Sequence, residues 1–379
     1  MAGGGTGKSR RRPANHREGC CGVMLKETYD AAVVGAGPAG STAARILAQA
    51  GLAVLLVDQV NAVGAKVQCA EFVPRILKQH AAIRPQDIAQ PIDGMRTFIQ
   101  GVLANQIKAP GYILNRCLWD KYLADSAVQA GAHLSLGIRA VHWQDNQLIL
   151  QSGSKQWTVN CRLLVGCDGP RSAVAGWLGN PRQETSVALQ YEMTLTHPMK
   201  NVEVHFEPWL YGGYAWIFPK GKYANVGLAA HPSCRGQLEV WLNRFCQTIA
   251  AKQIITDCTI HTRTAGLIPA GGLAARLAGD GLLLAGDAAG CAHPITGAGI
   301  MAAVRSGELA AGVIQRYFPN QAEKIAAEYT AALQEEFGIY LTKARQAIVR
   351  RDEAWTAGER PFSDVIHHSW ISFSEYYRR

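Results

Sequence analysis

The stretch Tyr29-Asp30-Ala31-Ala32-Val33-Val34-Gly35-Ala36-Gly37-Pro38-Ala39-Gly40 decides the fold. Its apolar start reads as a short buried strand that runs straight into a GxGxxG turn. An alanine-rich helix follows to about Ala50, with Gly51 as its stop. A second apolar run, Leu52 to Val57, ends at Asp58. This strand, turn, helix and strand, closed by an acid, is the unit that holds a dinucleotide. Gly35 makes the tight turn, Gly37 lets the backbone approach a diphosphate, and Gly40 lets helix and strand pack closely. Pro38 and Ala39 open the helix, whose unpaired N–H groups and partial positive charge face the phosphates. Asp58 stands where it can accept hydrogen bonds from a ribose.

Two later segments bear on which dinucleotide is held. Asp168-Gly169 and Gly286-Asp287 each follow an apolar strand far along the chain. Alone, each is an ordinary turn. Together with the first unit they suit a flavin, whose ribityl chain must be gripped along its length by acceptors such as Asp. Next, Pro294-Ile295-Thr296-Gly297-Ala298-Gly299 leads into a helix. Gly297 and Gly299 would let backbone N–H groups lie against the flavin ring and stabilise its reduced, negatively charged form by up to about 2 kcal/mol. No second GxGxxG occurs in the chain. Electrons therefore come from NAD(P)H docking transiently or from a reduced electron carrier.

The order of these segments, with Arg116-x-x-Trp119-Asp120 between the first and second, resembles the FAD-dependent hydroxylase-fold superfamily across residues 28 to about 315. Within it the chain is similar to the geranylgeranyl reductases, whose substrate domain carries YxWxFP. Here that signature reads Tyr214-Ala215-Trp216-Ile217-Phe218-Pro219. The resemblance implies an α/β fold: an FAD-binding Rossmann-like (GR2-type) domain, an inserted antiparallel β-sheet substrate domain and C-terminal helices. It places the Asp168 motif near the pyrophosphate and the Asp287 motif on the ribityl chain, adds Arg116 to the FAD-binding set, and gives Tyr214, Trp216, Phe218 and Pro219 to an apolar, prenyl substrate. It implies reduction of C=C bonds by hydride from reduced flavin. The pattern departs twice. Gly227-Leu228-Ala229 stands where a GxG is usual, and Cys69-Ala70-Glu71 stands where Cys-Gly-Gly is usual. Candidate proton donors are Cys69, Glu71, Tyr214 and His293. Each has a plainer alternative: a buried thiol, a surface carboxylate, a packing residue and a loop hydrogen-bonder.

Composition sets the outer limits. At 379 residues, 48% apolar and 18% charged, the chain can form two packed domains. The expected division is a basic tail at 1–27, an FAD domain from 28–185 and 266–320, a strand-rich domain at 186–265, and a helical region at 321–379. Short alternating segments around 139–160 suggest an antiparallel ribbon, and residues 112–132 a helix. Beyond 320, apolar residues at 325, 329, 333, 337, 341, 344 and 348 hold helical spacing. The tail carries six cations against two carboxylates, +4 of the net +9. Solvation explains it without a nucleic-acid partner. Thr6-Gly7-Lys8-Ser9 resembles the end of a phosphate loop but lacks the strand that would aim it. The ten cysteines form no CxxC pair and no zinc-spaced cluster, which fits a reducing cytoplasm and no metal. No apolar run spans a bilayer. A lipid substrate would bring the protein to the inner membrane face, where the tail and Arg350, Arg351, Trp355, Trp370, Phe373, Tyr376 and Tyr377 could rest, unless those aromatics cap the core. Two alternatives share the fold: a flavin monooxygenase or halogenase acting on an apolar or aromatic substrate, which also shares the flavin motifs, and a non-catalytic prenyl-binding protein, whose nucleotide motifs are eroded where those here are intact.

Overall fold

The computed structural model describes Met1, residues 25–65 and residues 67–378. The basic tail, the Thr6–Ser9 segment, Cys20 and Cys21 lie outside the described residues, apart from Met1 and Leu25–Glu27.

The opening unit forms as its sequence dictates. Strand β1 (Thr28–Val34) enters the glycine turn, helix α1 (Pro38–Gln49) crosses over, and β2 (Val54–Asp58) returns parallel to β1. The chain then leaves for a second sheet with β3 (Phe72–Pro74), β4 (Ile88–Ile99) and β5 (Val102–Leu114). It comes back through α2 (Arg116–Gln129) and β6 (His133–Leu136), the latter beside β2. The expected ribbon is present as β7 (Arg139–Gln144), β8 (Gln147–Ser152) and β9 (Lys155–Gly166), and the end of β9 joins β1 on its other side. A short α3 (Ala173–Trp177) follows.

Five strands make up the second passage through the other sheet: β10 (Thr185–Thr194), β11 (Asn201–Phe206), β12 (Tyr214–Lys220), β13 (Tyr223–Ala230) and, after α4 (Leu238–Ala251), β14 (Thr262–Pro269). The pair β15 (Ala278–Gly279) and β16 (Leu282–Leu284) then completes the first sheet. Helices α5 (Ile300–Tyr317), α6 (Ala322–Leu333), α7 (Ile339–Ala357) and α8 (Phe362–His367) finish the chain.

The first sheet runs β15-β16-β9-β1-β2-β6, with its central strands parallel and almost wholly buried. Successive connections leave β1 in opposite directions, toward β2 and toward β9. The crevice at the carboxyl end of β1 is therefore the topological switch point where such sheets bind ligands. The second sheet runs β14-β10-β13-β12-β11-β4-β5-β3. It is antiparallel except between β11 and β4, and it draws β3, β4 and β5 from residues 72–114, outside the 186–265 segment. The helix expected over 112–132 begins only at Arg116, because Tyr112–Leu114 pair with Ile88–Pro91 and with β3.

Alternation sets the two faces of this sheet. Ala215, Ile217, Val226 and Leu228 face α4 and pack on Leu242, Phe245 and Ile249. Tyr214, Trp216 and Phe218 take the opposite, inner face. Pro219 alternates with them and so shares the α4 side, a correction to its expected place on the substrate wall. The C-terminal aromatics resolve as core: Trp370 and Phe373 are buried with Phe206 and Val204, and Trp355 donates to the Pro208 carbonyl. Tyr377 alone of them points outward, 68% exposed. From 325 to 341 the helical spacing advances in steps of four, wider than the 3.6-residue α turn. Residues Gln334–Gly338 absorb the difference as one π-helical turn between α6 and α7. Among the described residues no helix is long and apolar enough to cross a membrane, and no group of side chains is arranged to hold a metal ion.

Candidate active site

Two of the three glycines of the first turn stand where a side chain has no room. Gly35 has φ +106°, and a Cβ there would lie 2.2 Å from the Cys167 carbonyl oxygen. A Cβ on Gly40 would meet the Gly35 carbonyl at 1.9 Å. A Cβ on Gly37 would meet nothing within 4 Å, so this position faces open space. Helix α1 starts there without a side-chain cap, leaving first-turn N–H groups for an anion. Asp58 accepts hydrogen bonds from Ala36 N at 2.7 Å and Val60 N at 3.0 Å. It therefore rivets the turn and keeps lone pairs for a ribose. A cleft of about 1260 Å³ opens here, lined by Gly35, Gly37, Asp58, Asp168, Gly169 and Arg171 among others.

Asp168 has a role the sequence did not reveal. Its carboxylate accepts from Ser172 Oγ at 2.5 Å and from the N–H groups of Ala173 and Val174. Burial raises its pKa against the pull of those bonds. It shapes the cleft wall through the start of α3.

Asp287 differs. Burial pushes its carboxyl up to about 6, and Arg116 is the opposing influence. Its carboxylate makes no hydrogen bond among the described residues. Its main-chain carbonyl accepts from Gln183 Nε2 at 2.8 Å, while Gln183 Oε1 is buried with no partner there. Arg116 is fixed by a two-pronged pair with Asp120, Nε–Oδ1 2.6 Å and Nη2–Oδ2 2.8 Å. Burial opposes its charge, but Asp120 outweighs that and raises its pKa. The Arg-x-x-Trp-Asp segment is thus one helical turn in which Asp120 aims the arginine and buried Trp119 anchors it to the Ala82 carbonyl.

The Pro294–Gly299 loop departs from expectation in one respect. Gly297 N–H donates to the His293 carbonyl, and Ala298 N–H to Thr296 Oγ1, so neither is left for a flavin. The groups that remain belong to the first turn of α5, which has no side-chain cap. His293 is a scaffold for the loop. Its Nδ1 lies 3.3 Å from Thr296 N, and burial lowers its pKa to about 4, so the imidazole is neutral near pH 7.

Of the other candidate donors, Tyr214 donates to the Thr296 carbonyl at 2.6 Å, and burial raises its pKa. Glu71 is 5% exposed and no surface carboxylate. It accepts from Lys220 Nζ at 2.5 Å, Asn225 Nδ2 at 2.9 Å and Arg116 N at 3.3 Å, which leaves it engaged on all sides. Cys69 is half-buried, and burial raises its pKa against the influence of Arg116, keeping it a thiol. Its Sγ accepts from Glu71 N at 3.2 Å, leaving the S–H to donate elsewhere.

On the inner face of the second sheet, Tyr214 packs against Phe206, Trp216 and Trp370 at 5.8, 5.9 and 5.1 Å. Phe218 meets Phe72 edge-on at 6.2 Å. Trp216 Nε1 donates to Gln190 Oε1 at 3.0 Å, and Gln190 Nε2 donates to the Cys69 carbonyl at 3.1 Å. Gln190, Lys220 and Asn225 were not singled out from sequence. For Lys220 and Asn225 the available signal was a polar residue standing alone in an otherwise apolar strand; Gln190 shares β10 with Glu192 and several hydroxyl residues and carried no such signal.

The donor set fits FAD: an open glycine at an uncapped helix start, an acid ending β2, a half-buried carboxylate without a protein partner after β16, and a second uncapped helix. All lie at the carboxyl ends of parallel strands. Residues 28–315 match the FAD binding domain family. The chain is 33% identical over 334 residues to digeranylgeranylglycerophospholipid reductase of Methanocaldococcus jannaschii, covering 84% of this chain and 85% of that one. It is 32% identical over 371 residues to digeranylgeranylglycerophospholipid reductase 3 of Methanosphaera stadtmanae, covering 91% of each. The fold superposes on a geranylgeranyl bacteriochlorophyll reductase-like protein from Thermoplasma acidophilum with a TM-score of 0.77 at 24% identity, covering 91% of this chain and 97% of that one. Monooxygenases and halogenases share the fold, so it is the sequence relatives that separate these readings. The chain belongs to the geranylgeranyl reductase family, and it is an FAD-dependent oxidoreductase.

Proposed function

We propose that this enzyme reduces C=C bonds in the prenyl chains of a digeranylgeranylglycerophospholipid-type substrate. The observation that carries this reading is the aromatic inner face of β12, whose Trp216 reaches the Cys69 carbonyl through Gln190 and whose Tyr214 donates to the Thr296 carbonyl. Such a wall suits an isoprenoid chain, whose burial is worth about 0.8 kcal/mol per methylene.

FAD, when bound, supplies the hydride. The first turn of α1 and Gly37 would hold its diphosphate, Asp58 its ribose and Asp287 its ribityl hydroxyls, with α5 directing its N-terminus at the ring. Arg116 places a fixed positive charge beside Cys69 and Asp287. Tyr214, Trp216 and Phe218 exclude water and orient the alkene. The proton for the second carbon comes from Cys69 Sγ, because the Tyr214 hydroxyl is already donated, His293 is neutral and Glu71 is engaged. NAD(P)H or a reduced carrier protein supplies the electrons. The lipid substrate brings the enzyme to the inner membrane face.

Anaerobic photoreduction of the flavin-loaded protein, followed by addition of a geranylgeranyl lipid, tests the reading. Return of the oxidised flavin spectrum with formation of a saturated product supports it. Reoxidation by oxygen alone, with oxygenated product, would overturn it in favour of a monooxygenase.

A further inference from the structure

We infer that Glu71, Lys220 and Asn225 form a lock that positions Cys69, so that Glu71 and Lys220 are positioning residues for the reaction. The inference rests on the reading that Cys69 faces the reacting alkene. Glu71 has φ +70°, a left-handed backbone that favours glycine and that a glutamate adopts only when its surroundings enforce it. The enforcement is visible. The side chain crosses to the second sheet, where Lys220 at the end of β12 and Asn225 on β13 bind one carboxylate oxygen at 2.5 and 2.9 Å. Arg116 N binds the other at 3.3 Å.

Main-chain bonds extend the lock along the loop. Asn225 also donates to the Ala70 carbonyl at 3.3 Å, and Gln190 donates to the Cys69 carbonyl. Residues 69–71 are therefore tied to three strands of the substrate sheet, β10, β12 and β13. The consequence falls on sulfur. The same turn brings Glu71 N–H onto Cys69 Sγ, filling an acceptor site on the thiol and leaving its proton free to be donated. The departure from Cys-Gly-Gly to Cys-Ala-Glu thus exchanges a backbone free to adopt this turn for one held in it by charge.

The test is the alkylation rate of Cys69 in the FAD-loaded protein, read peptide by peptide with iodoacetamide so that exposed Cys117 and Cys258 do not interfere. Lys220→Met should raise the rate about tenfold or more by loosening the loop, and should lower kcat with little change in KM. Lys220→Arg keeps the charge and should restore both. Glu71→Gln retains the side chain's shape and serves if Lys220→Met does not fold, with a smaller rise in alkylation expected. Alkylation within twofold of the parent in both Lys220→Met and Glu71→Gln, whatever happens to stability, would overturn the lock. The alkylation readout needs no substrate, so it stands or falls separately from prenyl reduction.

Discussion

Gly227 faces Trp216 directly across β12 and β13. A Cβ at this position would lie 2.4 Å from Trp216 Cζ2, 2.6 Å from Cε2 and 2.8 Å from the Leu189 carbonyl oxygen. Ordinary carbon contacts begin near ~3.5 Å, so Gly227→Ala must displace the indole by about 1 Å. The indole cannot yield freely, because its Nε1–H is bound to Gln190 Oε1 at 3.0 Å and Gln190 also holds the Cys69 carbonyl. Overpacking of this kind costs about 1–3 kcal/mol, and the strained hydrogen bond about 1 kcal/mol more. Replacing a strand glycine by alanine returns roughly 0.5–1 kcal/mol through backbone entropy. The expected net loss is about 2 kcal/mol. Urea unfolding of the FAD-loaded protein should show a lower midpoint with an unchanged slope. Trp216→Phe withdraws the six-membered ring from the clash, so the double variant should be more stable than the sum of its parts by at least about 1 kcal/mol. Simple additivity, or a Gly227→Ala protein within about 0.5 kcal/mol of the parent, would refute the claim that this glycine is there to seat the tryptophan.

Two further outcomes concern the cofactor and the proton. Burial raises the Asp287 carboxyl from 3.8 to about 6 in the cofactor-free chain. The folded form therefore binds the extra proton, so this group's contribution to stability is full below about 3.8 and is lost as pH rises through 6. Ribityl hydroxyls donate to the anion, so FAD affinity measured by flavin fluorescence should strengthen as pH rises through 6 and then level. Asp287→Asn should flatten that step, and an unchanged step would assign it to another group. Tyr214→Phe leaves the Thr296 carbonyl without its 2.6 Å partner and should cost about 1–3 kcal/mol in urea unfolding. It should keep alkene reduction within tenfold of the parent. Loss of reduction with FAD retained would make Tyr214 the proton donor in place of Cys69.

The parts of this molecule that were legible from sequence are those where one residue type answers one local demand. Gly40 is required by a contact within its own turn, Gly35 by its left-handed φ as much as by the distant Cys167 carbonyl, and Asp58 ends a strand five residues long; spacing alone reveals all three. The alternation of Tyr214, Trp216 and Phe218 likewise revealed a face, although the same alternation should have excluded Pro219. Legibility fails where the partner is distant. Asp168 reads like Asp287 in one dimension, an acid next to a glycine after an apolar strand. One is engaged by the next six residues and the other is left open, and only the path of the chain beyond each decides which. Glu71 reads as a surface carboxylate because its partners are separated from it by 149 and 154 residues.

These distant partners share a pattern. Gln190, Lys220 and Asn225 lie on adjacent strands β10, β12 and β13 of one sheet, on its inner face, and all three reach toward residues 69–71. A loop between β2 and β3 has little structure of its own to hold it. The rigid element that positions it is the sheet that also carries the aromatic wall. Building both on adjacent strands of one sheet fixes the distance between thiol and wall through backbone hydrogen bonds, which are stiffer than any loop contact. An isoprenoid chain offers no polar group near its double bonds by which it could be oriented. Its register against a proton donor can be set only by the shape of the wall and the fixed position of the donor relative to it. Under the proposed function, the polar inner-face residues would be as much part of substrate recognition as Tyr214, Trp216 and Phe218, although none of them need touch the substrate.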